Sequence, residues 1–426
     1  MTAVHAMEPS TEPTDRSLAR PTFDAATRSL DAAGVSWVRL RPRHGGDEDD
    51  LLIAANAWDH ARAALAGVGF VFVPSLGRGS HRALHAVDPE TGAWLKVDIV
   101  TRIDFGRFAE FRTDLAAGFL GRRRRDGAEW TLDPDDGFWS LLFHELLDKP
   151  APVAARADDL AALAAHAGAT GPGARVATTS LSAGVGAQAL IDHAAARDID
   201  ALLRIGQRLR RRRTPGTTLR RLRNGLLRRL DRLEPPFVRR GLSIALLGPD
   251  GAGKSTLSHS VAVSGPLPLR SVYLGLYGGS RGRRHARLPG VGLLGWLTRM
   301  WRGWAVGALH VARGRIVIFD RHPYGARLRV VGAGRPSIGR RIQAHSLPAP
   351  DLVILLDAPA ELLYARKPEH PLERLAAQRA ACLELARTLR RAEVVDVGGP
   401  VEGVARTVTA IAWRRLSERA RVPLAR

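Results

Sequence analysis

Apolar and polar positions divide the chain into stretches of different rhythm. From residue 22 to about 152, period-two runs are interleaved with helical periodicity. The spacing predicts helices over 23–33 and 58–66 and strands over 35–41, 50–54, 70–74 and 94–100. Residues 153–205 are rich in Ala and Leu at helical spacing, interrupted by "GATGPGAR". From 238 onward, strand and helix alternate. Strands fall over 242–247, in "SVYLGLY", and over 315–319, 352–356 and 394–397; helices follow the first strand and fall over 291–311, over 360–389 and at the end. Such alternation predicts a parallel sheet with helices on both faces and ligands at the carboxyl ends of its strands.

The expected fold class is therefore α/β throughout. It comprises a polar tail over 1–20, an amino-terminal α/β domain over 21–152, a helical segment over 153–205, an Arg-rich linker over 206–237 and a second α/β domain over 238–426. In the linker, "RLRRRRTPGTTLRRLRNGLLRRLDRLEPP" places Leu219, Leu222, Leu226, Leu230 and Leu233 on one helical face. This predicts a solvated basic helix whose leucines pack on a neighbour. The most apolar long stretch, 291–311, carries Leu297, Met300, Trp301, Trp304 and Ala308 at helical spacing. Arg299 and Arg302 interrupt it, so it reads as a packed amphipathic helix and not as a membrane span.

Composition narrows the picture. At 426 residues the chain exceeds one ordinary core, and its 45% hydrophobic content is that of globular domains. A single cysteine, Cys382, excludes an intramolecular disulfide, and with no apolar leader in the first twenty residues the expected location is cytoplasmic. A net charge of +22 would ordinarily suggest nucleic acid. Here nearly all the basic residues are arginines spread along an Ala- and Gly-rich chain, a compositional bias that weighs against that partner. Only four lysines occur, Lys96, Lys149, Lys254 and Lys367, and each falls in a stretch of chemical interest. A homodimer is compatible with everything in the sequence.

The sharpest motif is "LLGPDGAGKST", in which Gly248, Gly251, Gly253, Lys254 and Ser255 fit the phosphate-loop spacing Gly-x-x-x-x-Gly-Lys-Ser/Thr directly after a strand. Glycines let backbone N–H groups close around a polyphosphate, Lys254 supplies a point charge, and Ser255 supplies a hydroxyl for Mg²⁺. "RIVIFDRHP" ends a second strand with Asp320 and Arg321, and "APDLVILLDAP" ends a third with Asp357. In a parallel sheet these ends open onto the loop's cleft. A carboxylate there serves Mg²⁺ or a hydroxyl proton, and a guanidinium forks onto phosphate. Arg366, Lys367, Arg374 and Arg379 follow in a helical or lid-like segment.

With these motifs, residues 242–410 resemble the thymidylate kinase family of P-loop kinases. The resemblance implies ATP and Mg²⁺ at residues 248–256, including Thr256, an acceptor-side role for Asp250, phosphate orientation by Arg321 and a lid arginine at Arg366. The family's base-reading segments are replaced: "DRHPY" stands where Asp-Arg-Tyr/Phe and an Ala-Tyr-Gln run are usual, and "YLGLYGGSRGRRHARLPG" stands in place of the arginine-bearing segment after the loop. The implied activity is phosphoryl transfer from ATP to a small acceptor: a nucleotide, nucleoside or sugar derivative.

Near the amino terminus, "VSWVRLRPRHGGDEDDLLIA" runs from a strand through Gly45-Gly46 into acids. On an extended chain Glu48 and Asp50 share a face while Asp49 points away. "WLKVDIV" adds Asp98, and three carboxylates on neighbouring strands could hold Mg²⁺. This arrangement is similar to the nucleotidyltransferase superfamily over about 35–100, with "FWSLLFHELLDKP" resembling the helix that follows in small-molecule members. His144 and Asp148 in that stretch are read as helix-capping or core-edge residues. Two alternatives stay open beside the kinase: a small-molecule nucleotidyltransferase with the P-loop half as nucleotide sensor, and a regulatory ATP-binding protein whose Arg-rich segment meets nucleic acid.

Overall fold

A computed structural model describes residues 20–41, 48–148, 154–180, 184–212, 214–236, 239, 241–261, 267–274, 291–320, 322–327, 342 and 344–421. The chain is a mixed α/β protein built on two principal sheets. The tail over 1–19, Gly45-Gly46, Lys149, Arg321 and the end of "SVYLGLY" lie outside the described residues.

The amino-terminal sheet has seven strands: β1 (Trp37–Arg39), β2 (Glu48–Ile53), β3 (Val71–Phe72), β4 (Arg82–Val87), β5 (Trp94–Val100), and, after the short pair β6 (Asp104–Phe105) and β7 (Phe111–Arg112), β8 (Arg124–Asp126) and β9 (Glu129–Thr131). Its order is β3-β4-β5-β2-β1-β9-β8, with β6 and β7 forming a separate hairpin. β2 and β5 run parallel, while β4 pairs antiparallel to β5 and β1 antiparallel to β2. Period-two alternation sorts the two faces. Trp37, Leu51, Ile53, Leu84, Val97 and Ile99 pack with Leu30 and Leu65 of the helices Phe23–Ala32 and Trp58–Gly67. Val38, Leu52 and Val100 pack on the other side against Phe138, Trp139, Leu160, Leu190 and Leu202. The helical segment after residue 153 thus shares a core with the sheet before it.

The carboxyl-terminal sheet is parallel throughout, in the order β11-β12-β10-β13-β14, with β10 (Leu242–Leu247), β11 (Leu269–Tyr273), β12 (Ile316–Asp320), β13 (Leu352–Asp357) and β14 (Ala392–Asp396). Ile244 and Leu246 face Leu257, Val404 and Val408, whereas Ala245 and Leu247 face Tyr324 and Cys382. Helices therefore cover both faces, as the alternation of elements implies.

Several expectations are corrected. The single helix over 360–389 is two helices, Ala360–Arg366 and Leu372–Thr388, because Pro368 and Pro371 interrupt the backbone hydrogen-bond ladder. In the helix Val291–Ala312 the buried hydrophobic side chains among those described are Trp296 and Met300, and Trp301 is exposed. The Arg-rich segment is helical over Pro215–Arg232, but Leu219, Leu222, Leu226, Leu230 and Leu233 are exposed and pack on no neighbour among the described residues. Among the described residues, no helix is long and apolar enough to cross a membrane.

The two sheets meet through one apolar cluster. Val71, Val73 and Val87 from the β3–β4 edge join the carboxyl-terminal core beside the last helix, Val401–Arg421. Trp413 of that helix meets the Trp94 ring edge-on, with centroids 4.9 Å apart, and donates Nε1–H to the His85 carbonyl at 3.2 Å.

Trp413→Ala should cost about 3–5 kcal/mol, read as a lowered urea midpoint. His322 is buried behind β12, and desolvation lowers its pKa to about 4, so its folded form resists protonation. The stability this contributes is complete above the unfolded value of about 6.5 and disappears as pH falls towards 4, roughly 3 kcal/mol in all. The difference in urea midpoint between the parent and His322→Gln should shrink over that window, and a constant difference would refute the assignment.

Candidate functional site

Two constellations gather chemically competent groups. The first is the loop after β10. Gly248, Gly251 and Gly253 all have positive φ, at 151°, 87° and 78°. A Cβ on Gly248 would approach the Leu356 carbonyl oxygen to 2.7 Å, and one on Gly251 the Leu363 carbonyl oxygen to 2.6 Å. Glycine is thus required by backbone conformation at all three positions and by close approach at two. Gly253 opens the helix Lys254–Ser260, and Lys254 Nζ folds back to donate to the carbonyls of Gly248 and Pro249 at 2.9 and 2.8 Å. Ser255 and Thr256, in the first turn, are exposed.

Strand register brings the other candidates to the same end of the sheet. Asp320, half-buried at the end of β12, lies opposite Leu246 of β10, two residues before Gly248. Asp250 stands 3.6 Å from His370 Nε2, and its backbone N–H is directed at Gln378 Oε1 at 3.4 Å. His370 and Gln378 belong to the segment read from sequence for its basic residues alone. The Pro368–Pro371 interruption returns His370 towards the loop, a signal that could have been read from those two prolines. Arg366 is exposed, and its Nη2 donates to the Val397 carbonyl at 2.9 Å. Arg379 grips Asp357 with two hydrogen bonds, at 2.7 and 2.8 Å, so that carboxylate is tied to the helix Leu372–Thr388.

The second constellation lies where β2 and β5 run side by side. The parallel register sets Glu48 opposite Lys96 and Asp50 opposite Asp98. As the two-residue period requires, Asp49 faces the other way, buried in a pair of hydrogen bonds with Arg39 at 2.8 and 2.9 Å. One carboxylate oxygen each from Glu48, Asp50 and Asp98 falls within 4.8 Å of the others, a spacing compatible with a shared cation. Nearby cations compensate the cluster. Lys96 Nζ bridges Glu48 and Asp98, Arg41 binds Asp50, and His81 Nδ1 stands 3.4 Å from Asp98 Oδ2.

Burial raises the pKa of Asp98, but the hydrogen bond and charge of His81, together with Lys96, outweigh it and keep the carboxyl below its ordinary value. Burial acts on His81 in the opposite sense and is again outweighed by Asp98, so its pKa is raised. Asp98 Oδ1 is buried and has no hydrogen-bond partner among the described residues. An orphaned anionic oxygen in a cluster of carboxylates fits a divalent cation. His144 and Asp148 pair with each other at 2.8 Å, a local role in line with the core-edge reading. His81 and Arg41 were missed from sequence, since only strand pairing brings them to the acids.

No family model and no curated protein matches the chain.

Isothermal titration with Mn²⁺ would test the acidic cluster. Asp98→Asn should weaken binding by about tenfold or more. Lys96→Met, which removes a competing cation, should strengthen it. Equal affinities in all three proteins would exclude a site at these carboxylates.

Proposed function

We propose that the protein is an ATP-dependent phosphotransferase acting on a small acceptor. The observation that carries this reading is the loop over 248–253: three positive-φ glycines at the carboxyl end of the central parallel strand, leading into Lys254 and Ser255, with Asp320 on the adjoining strand. The turn is one that only glycines adopt without strain, and phosphate cradles use this residue pattern at this place in a sheet. Bound Mg²⁺-ATP would supply the phosphoryl group and neutralise developing charge. Lys254, whose ammonium already sits over the loop carbonyls, would hold phosphate oxygens, while Ser255 and Asp320 supply oxygen donors suited to Mg²⁺. Asp250, with His370 beside it, would meet the acceptor's hydroxyl or phosphate. Arg321 and Arg366 are the basic residues assigned to phosphate by the kinase resemblance. The replaced base-reading segments favour an acceptor other than thymidylate: another nucleotide, a nucleoside or a sugar derivative.

A second reading has its own support. The Glu48–Asp50–Asp98 cluster with its orphaned oxygen suits a Mg²⁺-dependent nucleotidyl transfer in the amino-terminal half. The kinase would then be one of two activities on the same chain.

ADP release from Mg²⁺-ATP, measured across nucleosides, nucleoside monophosphates, sugars and sugar phosphates, tests the first reading. Acceptor-dependent release should fall by about 100-fold or more in Lys254→Ala. If no acceptor raises release above the level of that variant, the kinase reading fails. Pyrophosphate release that survives Lys254→Ala and disappears in Asp98→Asn would assign turnover to the amino-terminal cluster.

A further inference from the structure

The helix Pro215–Arg232 presents its polar face to the protein and its apolar face outward. Asn224, 8% exposed, donates Nδ2 to the Phe108 carbonyl at 2.7 Å. Arg220 Nε donates to the Glu110 carbonyl at 2.8 Å and Arg228 Nε to the Gly77 carbonyl at 2.8 Å. Asp231 Oδ1 accepts from the Leu76 N–H at 3.1 Å and from Arg239 Nη2 at 2.8 Å. These residues recur at intervals of three and four and define the docked face. About 180° away are Leu219, Leu222, Leu226, Leu230 and Leu233, with 69%, 67%, 59%, 42% and 70% of their surface exposed. Arg223 and Arg229, both exposed, border this stripe on opposite sides. The only acid in the helix, Asp231, belongs to the docked face.

We infer that this face docks the protein on an anionic lipid surface. A helix of 18 residues lies about 27 Å along such a surface. Its leucines enter the boundary between headgroups and acyl chains, and the bordering arginines reach lipid phosphates. Other occupants fit the chemistry less well. A nucleic acid would pair with the arginines and leave five leucines in water. A second copy would set Arg223 and Arg229 against their own counterparts on a chain carrying +22 charges. Among the described residues, no helix is long and apolar enough to cross a bilayer. The inference is independent of which reaction the two sites perform.

Co-sedimentation of the full chain with vesicles at physiological salt tests it. The protein should bind vesicles of equimolar phosphatidylglycerol and phosphatidylcholine and remain in solution with phosphatidylcholine alone. Leu222→Ser/Leu226→Ser should lose about tenfold or more in partitioning, and Arg223→Ser/Arg229→Ser about fivefold per arginine. Since these side chains are exposed, each variant should keep the parent's urea midpoint; Leu219→Ser/Leu233→Ser, at the ends of the stripe, provides a second leucine pair. Unchanged vesicle binding in both leucine variants would overturn the inference, leaving charge alone as the attraction. It is equally overturned if the parent ignores vesicles and sediments as a dimer that the leucine variants dissociate, or if it ignores vesicles and binds a duplex oligonucleotide.

Discussion

A wall of apolar side chains common to both sheets holds the two halves together, and Trp413 completes it. The indole reaches from the last helix to strands β4 and β5 beside the β3 edge, meeting the Trp94 ring and the His85 carbonyl, while Val404, Val408 and Leu416 of the same helix lie in the core of the parallel sheet. A sheet edge ordinarily exposes unpaired backbone groups and requires cover. Here the cover is the carboxyl-terminal helix, so the edge of one sheet contributes valines to the core of the other. Burying a large aromatic group on both sides of the junction makes separation of the halves costly. The glycine loop and the acidic cluster are consequently carried on one packed body.

Within that body, carboxylates are handled in two distinct ways. Asp49 with Arg39 and Asp357 with Arg379 form two-point pairs in which both carboxylate oxygens are used, an arrangement that fixes strands and helices. Asp98 differs. Lys96 and His81 both approach Oδ2, while Oδ1 is buried without a partner among the described residues. Its charge is compensated, but its hydrogen-bonding capacity is not. Setting Asp50 opposite Asp98 across a parallel pair is electrostatically unfavourable without nearby positive charge, and Lys96 and Arg41 provide it. The local cations account for the stability of the cluster; the unused oxygen is what distinguishes it from a structural ion pair.

How much of this could be read in advance depends on how local each cause is. The glycine loop was legible because its conformation follows from residues within six positions of one another. The divergence of Asp49 from Glu48 and Asp50 was legible from the two-residue period alone. β4 was not, since "RALHAV" mixes Arg82 and His85 with small apolar residues and takes its strand character from pairing with β5. The positions of His81 beside Asp98 and Lys96 beside Glu48 depend on register between segments far apart in sequence. The break at residues 367–371 lay open in its two prolines, but the continuous apolar pattern on either side obscured it.

The Arg-rich helix shows a further limit. Periodicity identified correctly that its leucines share a face, yet it does not specify which face a protein buries. The loops around residues 77 and 108 decide that here. Gly77 approaches so closely that a Cβ would meet the Asn224 carbonyl oxygen at 2.5 Å, and the carbonyls of Gly77, Phe108 and Glu110 take hydrogen bonds from Arg228, Asn224 and Arg220. Backbone carbonyls beneath a helix need donors, and leucines have none to offer. Satisfying them turns the polar face inward and leaves the leucines outside. The same loop continues to Ser80, which donates to the Arg102 carbonyl at 2.7 Å, and then to His81 beside Asp98. The contacts that fix the helix's orientation therefore also brace the segment supplying His81 to the acidic cluster, linking the outward leucine face to that cluster through one short stretch of chain.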